Sequence, residues 1–268
     1  MRKKKAGILI ATLLCLAFII QGCAGAVSSD TGAVPVQEAT EIKETDDIKA
    51  EEQTAQDAET EDDVTKIAPD TGKKAADNSD KTVVWLGDSL TQGSLGDMDD
   101  NLPNAPYEKL KQLSGAKVEG FGFYGFNTHD ILWSYTAEAH AGQKKDPNKI
   151  YVFWCGSNDW TPGGIPNTDT AGVISEIDSF VAGGGITKYI VLGTTARNEL
   201  RPDGNGPSRC ELINKDLKAH YKERYLELDS FISIENGYVA DKVHLTQASY
   251  DTVAYLVYEK LKQMGYLN

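Results

Sequence analysis

Four short blocks of the chain hold side chains that can do chemistry together. Gly87-Asp88-Ser89-Leu90-Thr91-Gln92-Gly93 places a serine in a turn bounded by glycines. A serine hydroxyl presented this way is a nucleophile when a base stands beside it. Taken alone, the block reads equally well as a strand-end turn with Ser89 opening a helix. Asp241-Lys242-Val243-His244 supplies an imidazole with a carboxylate three residues before it. Asp241 can take the N–H of one ring nitrogen while the other handles a proton, and it steadies the imidazolium that forms. Alone, that pattern is also an ordinary surface pair. Gly156-Ser157-Asn158-Asp159 offers a side-chain amide that can donate to an oxyanion, or simply a turn rich in turn-forming residues. Gly122-Phe123-Tyr124-Gly125-Phe126-Asn127-Thr128 offers an unobstructed backbone N–H at Gly125, with Gly122 as the competing position. Asp88 and Asp159 read as supports of their loops.

These blocks need a scaffold that brings them to one place. Thr82–Gly87, Lys117–Gly122, Ile150–Cys155 and Tyr189–Gly193 are short β-branched or apolar runs, and Leu228–Ile234 is expected as a fifth strand. Near-continuous apolar runs mark strands covered on both faces, as in parallel sheets. Helical stripes separate them. Val173, Ile174, Ile177, Phe180 and Val181 form one, closed by Gly183-Gly184-Gly185. Ser208 and Glu211 have capping-box spacing ahead of Cys210, Ile213, Leu217 and Tyr221. Thr246 is the expected N-cap of a last helix carrying Tyr250, Val253, Ala254, Val257, Leu261 and Met264. The alternation predicts a three-layer α/β domain whose chemistry lies past the carboxyl ends of the strands. All four blocks fall just after strands or between elements.

Competing sequence signatures are absent. The serine block lacks the Gly-Lys-Ser/Thr ending of a phosphate-binding loop, and no Gly-x-Ser-x-Gly elbow occurs. His129, His140 and His220 have no cysteine or carboxylate at metal-ligand spacing, so no metal is expected. Trp160 and Thr161-Pro162-Gly163-Gly164 flank the third block, where aromatic faces suit sugar rings; Trp154 reads as packing.

Ser, Gly, Asn and His in this order, with Gly-Asp-Ser-Leu first, Gly-x-Asn-Asp third and Asp-x-x-His last, resemble the SGNH hydrolases, the GDSL-type esterases and lipases. The resemblance spans Lys81–Asn268. It implies a flavodoxin-like α/β/α fold on a five-stranded parallel sheet and hydrolysis of carboxylic esters without metal or cofactor. It assigns Ser89 as nucleophile, His244 as general base and acid, and Asp241 as its orienting partner. Ser89, Gly125 and Asn158 become the oxyanion donors. The expected substrates are O-acetyl or short acyl esters on cell-wall or environmental saccharides, with lysophospholipids as the alternative. A non-hydrolytic carbohydrate-binding or acyl-transfer protein on the same fold is the reading from another class.

The rest of the chain points to where this happens. Of 268 residues, 27 are basic and 40 acidic, a net charge of -13. That balance repels phosphate backbones and argues against a nucleic-acid partner. The charge is unevenly spread. Residues 1–22 carry Arg2, Lys3, Lys4 and Lys5 and then an apolar run from Ala6 to Ile20, the pattern of an export signal. The run is shorter than the roughly 20 residues of a spanning helix. It ends in Gly22-Cys23, which resembles a bacterial lipoprotein box, with Cys23 lipidated and anchored to the membrane. Residues 23–80 hold sixteen acidic and five basic residues and no Phe, Trp or Tyr. Such a segment is expected to be a disordered acidic tether with a reach of roughly 40 Å. The enzyme domain is therefore expected outside the cytoplasm. Its two cysteines, Cys155 and Cys210, leave a disulfide and two buried thiols both open. The sequence sets no oligomeric state.

Overall fold

The computed structural model describes residues 77–97, 102–159, 170–195 and 209–268, all within the compact unit Ile67–Asn268. Cys23 and the proposed signal and tether segments through residue 76 lie outside the described residues, as do Trp160, the 161–164 loop and Ser208.

Five parallel strands form one sheet: β1 (Thr82–Gly87), β2 (Lys117–Gly122), β3 (Ile150–Trp154), β4 (Tyr189–Leu192) and β5 (Tyr225–Leu226). Their order is β2-β1-β3-β4-β5, the flavodoxin-like arrangement, with the reversal of direction at β1 and β3. The helices are α1 (Ser89–Gln92), α2 (Pro106–Ser114), α3 (Thr128–Thr136), α4 (Thr170–Gly184), α5 (Arg209–Tyr221) and α6 (Gln247–Gln263). Strand side chains alternate between faces, and both faces are apolar. Val83, Trp85, Val152, Trp154, Ile190 and Leu192 pack with Leu110 of α2 and Tyr250, Val253 and Val257 of α6. Val84, Leu86, Tyr151, Phe153 and Val191 pack with residues of α3, α4 and α5, including Ile131, Ile177 and Ile213. This double burial is why the strands read as continuous apolar runs.

The register positions the site. Gly87 at the end of β1 pairs with Gly122 at the end of β2 and with Trp154 at the end of β3. The three loops that follow therefore leave the same sheet edge side by side. β1 lies between β2 and β3, so the serine block sits between the glycine block and the asparagine block.

Two expectations need correction. The fifth strand is Tyr225–Leu226 and not Leu228–Ile234. Leu228 and Ile232 are buried, but as loop side chains inserted into the core. Burial without pairing gives the same apolar spacing as a short strand. Cys155 and Cys210 are free, buried thiols, and the disulfide reading falls. Burial pushes the Cys155 thiol well up, with the charges of Asp159 and Asp88 adding to the rise. Hydrogen bonding to the folded part also reaches a residue before Lys81. Asn78 is fully buried; its Nδ2 donates to the Ser114 carbonyl at 2.9 Å and its Oδ1 accepts the Asn268 N–H at 2.8 Å. A polar clasp of this kind is invisible to apolar patterning.

Candidate active site

β1 runs straight into α1 through Asp88. The Asp88 Oδ1 accepts the Leu90 N–H at 2.9 Å, so Asp88 is the helix cap and Ser89 the first helical residue. The first N–H groups of a helix have no partner inside it. Accordingly, the Ser89 N–H makes no hydrogen bond among the described residues.

His244 arrives from the loop between β5 and α6. An antiparallel bridge joins Tyr238 to Leu245, and the Val239 N–H donates to the His244 carbonyl at 2.9 Å. Lys242 bends left-handed at φ 59 and lets the chain fold back on itself. Asp241 closes the bend: its Oδ1 accepts the N–H groups of Val243 at 2.8 Å and His244 at 2.9 Å. Its Oδ2 lies 2.6 Å from His244 Nδ1, and His244 Nε2 lies 2.9 Å from Ser89 Oγ. Because an ionised carboxylate only accepts, Nδ1 carries the proton and Nε2 is left as the base facing the serine. Burial pushes the Asp241 pKa up, but the hydrogen bonds from His244 and Val243 outweigh it and hold the carboxyl below its ordinary range. His244 and Ser89 are each 5% exposed, so the proton exchange is shielded from bulk water.

The other two blocks come to the same edge. Phe123–Phe126 form a turn closed by the Phe126 N–H donating to the Phe123 carbonyl at 3.2 Å. Gly125 sits third in it at φ 75, a conformation that favours glycine. Open space surrounds the position where a Cβ would stand, and its N–H has no hydrogen bond among the described residues. Gly122 is different. A Cβ there would stand 2.5 Å from the Gln92 nitrogen, so Gly122 lets α1 lie against β2. Asn158 Nδ2 donates to the Phe126 carbonyl at 3.1 Å and lies 3.4 Å from Asp88 Oδ2. It ties the turn of Gly125 to the cap of Ser89.

Asp159 anchors the same region from beneath. Its Oδ2 accepts the Thr128 N–H at 3.1 Å and the Thr128 hydroxyl at 2.9 Å, fixing the start of α3. Burial pushes its pKa up to about 6; the Thr128 hydrogen bonds oppose this, and the charges of Asp88 and Asp130 add to it.

Two residues of the site have no signal in the sequence. Gly96 stands where a Cβ would be 2.9 Å from Asp241 Oδ2, so the loop after α1 packs directly on the carboxylate. Tyr124 lies stacked on the His244 ring, with centroids 5.6 Å apart and planes 18° apart. Trp154 is core, and its Nε1 donates to the Gly193 carbonyl at 3.1 Å. His129 and His220 pair with carboxylates distant in sequence, Glu176 at 3.1 Å and Asp178 at 2.8 Å. A cavity of about 230 Å³ between α3 and α4, lined by His129, Trp133, Lys145, Glu176 and Phe180 among others, includes no member of the triad.

Fold and site together describe a Ser–His–Asp arrangement on a five-stranded flavodoxin-like sheet. Among solved structures, the chain is similar to a lipase/acylhydrolase from Enterococcus faecalis, with 20% identity over 70% of this chain and 97% of that one and a TM-score of 0.52. It is similar to a member of the lipolytic G-D-S-L family from Veillonella parvula, at 19% identity, 68% and 97% coverage and a TM-score of 0.51. It is also similar to a family 3 carbohydrate esterase from Clostridium thermocellum, at 17% identity, 69% and 96% coverage and a TM-score of 0.50. The fold is thus that of the SGNH, or GDSL-type, hydrolases. No family model matches the chain, and no curated protein matches it.

Proposed function

We propose that this chain is a serine esterase that removes O-acetyl or short acyl groups from saccharides of the cell wall or surroundings. One observation carries the reading: His244 Nε2 stands 2.9 Å from Ser89 Oγ while Asp241 holds Nδ1 at 2.6 Å. Ser89 Oγ attacks the ester carbonyl carbon and its proton passes to His244 Nε2. The carbonyl oxygen becomes an oxyanion facing the N–H groups of Ser89 and Gly125, and the Asn158 amide reaches it by exchanging its 3.4 Å contact with Asp88 Oδ2. Such donors lower the barrier because they are already in place when the charge develops. The C–O bond to the alcohol breaks as His244 returns the proton to the leaving oxygen. Water then attacks the acyl-serine, again giving its proton to Nε2, and the acid departs as Ser89 Oγ regains a proton. No step calls for a metal or cofactor.

The location and anchor belong to the same proposal. The N-terminal basic and apolar run would direct export, Cys23 would carry the lipid, and the acidic segment would hold the domain off the membrane. The carbohydrate esterase among the similar structures supports saccharide esters. The lipolytic ones support lysophospholipids as the second reading, since that substrate lies in the anchoring membrane itself.

A fluorophosphonate probe should label Ser89 and no longer label the Ser89→Ala variant. The variant should keep its fold and lose turnover of a chromogenic acetyl ester. Unchanged turnover in Ser89→Ala would refute the nucleophile. Acetate release from acetylated xylan and peptidoglycan, set against fatty-acid release from lysophospholipid, decides the substrate.

A further inference from the structure

The His244 ring has two edges and two faces, and both edges are occupied. Nδ1 is taken by Asp241 and Nε2 by Ser89. The contact left for the protein to control is a face, and Tyr124 occupies it at 5.6 Å between centroids and 18° between planes. Tyr124 is not free to drift. It sits inside the Phe123–Phe126 turn, whose flanking rings stack on one another at 5.7 Å and 13°. The turn is also fastened by Asn158 Nδ2 on the Phe126 carbonyl at 3.1 Å. Thus the peptide that offers the Gly125 N–H to the oxyanion also holds an aromatic ring over the imidazole.

During acylation His244 becomes a cation between a carboxylate and a departing alcohol. An aromatic face within about 6 Å attracts a cation through its quadrupole. The geometry points to Tyr124 as a positioning residue that stabilises the imidazolium of His244 and fixes the plane of its ring. The inference rests on the esterase reading above and concerns how that site is tuned. The groups that hydrogen-bond to or stack on the ring are Asp241 from its own loop, Ser89 from α1 and Tyr124 from the turn after β2. Among the described residues no other charged group pairs with it or hydrogen-bonds to it.

The test compares Tyr124→Leu, which keeps bulk and removes the π face, with Tyr124→Phe, which keeps the face and removes the hydroxyl. The first readout is the NMR titration of the His244 ring without substrate, assigned against His244→Gln. Leu should lower the midpoint by roughly half to one pH unit, and Phe should leave it in place. The second readout is kcat/KM against pH. Leu should lower the plateau by roughly threefold to tenfold and move the acid limb down by the same interval, because a less stabilised imidazolium is lost at lower pH. Phe should match the wild type in both. Tyr124→Met replaces Leu where the Leu variant does not fold. A Leu or Met variant that titrates like the wild type overturns the inference, as does a Phe variant that behaves like Leu. The titration needs no turnover. Absent esterase activity with a shifted midpoint would therefore refute the function and leave the role of Tyr124 standing.

Discussion

Asp159→Asn should change how the stability of the fold depends on pH, and the size of the change follows from the site. Asp159 is 1% exposed, and its pKa rises from 3.8 to about 6. Between these values the folded chain holds a proton that the unfolded chain has released. Stability therefore falls as pH rises from about 4 through about 6, and the loss is complete above that. The interval is worth about 3 kcal/mol. An Asn whose oxygen takes the place of Asp159 Oδ2 still accepts both the Thr128 N–H and the Thr128 hydroxyl, and its amide takes the place of the other carboxylate oxygen. The variant removes the titration and keeps the hydrogen bonds. Urea unfolding of both proteins at intervals from pH 3 to pH 8 gives the difference in unfolding free energy. That difference should move by about 3 kcal/mol in favour of Asn across the window and stay level above it. A difference that does not change with pH would refute the argument, because burial would then not be holding the proton on Asp159.

Asp241→Asn should leave the fold intact and cut kcat by about a thousandfold or more, since the amide turns His244 to the wrong tautomer. Steady-state kinetics on an acetyl ester, with circular dichroism as the folding control, measures it. Asn78→Ala should cost about 1–3 kcal/mol of stability, because it strands the buried Ser114 carbonyl. Thermal unfolding of that variant, beside a chain begun at Lys81, tests whether the domain starts before Lys81.

Much of this fold was legible because both faces of the sheet are buried. Such strands leave dense apolar runs, and β1 and β2 have the bounds that their sequences predict. The last helix is likewise capped by Thr246, whose hydroxyl accepts the Ser249 N–H. The failure at β5 has a physical cause. Only Tyr225 and Leu226 find partners on β4, while Leu228 and Ile232 reach the core from a loop. Hydrophobic spacing records burial and says nothing of backbone pairing. The α2 and α3 helices were not among the expected elements. α2 begins at Pro106 with no side-chain cap. α3 depends on Asn127, whose Oδ1 accepts the Asp130 N–H at 2.9 Å, inside a block that reads first as a turn. Ser89, His244 and Asp241 were legible from order and spacing. Gly96 and Tyr124 were not, since their roles come from packing on Asp241 and His244 across the fold.

The glycine block shows why its ambiguity needed three-dimensional evidence. Gly122 and Gly125 are the same residue type three positions apart, and either can lack a side chain for a functional reason. The register separates them. Gly122 is paired with Gly87 within the sheet and crowded by Gln92, so its missing Cβ serves the approach of α1. Gly125 is past the strand, at positive φ, with open space around it. Its turn is held from one side by Asn158 and followed at once by α3, whose start is fixed by Asp159. The Asn158-Asp159 pair therefore acts on the glycine block: one amide fastens the turn and one carboxylate fastens the helix after it. Loss of Asn158 would then loosen the Gly125 turn, so in the proposed mechanism the two blocks act as one device rather than as two independent donors.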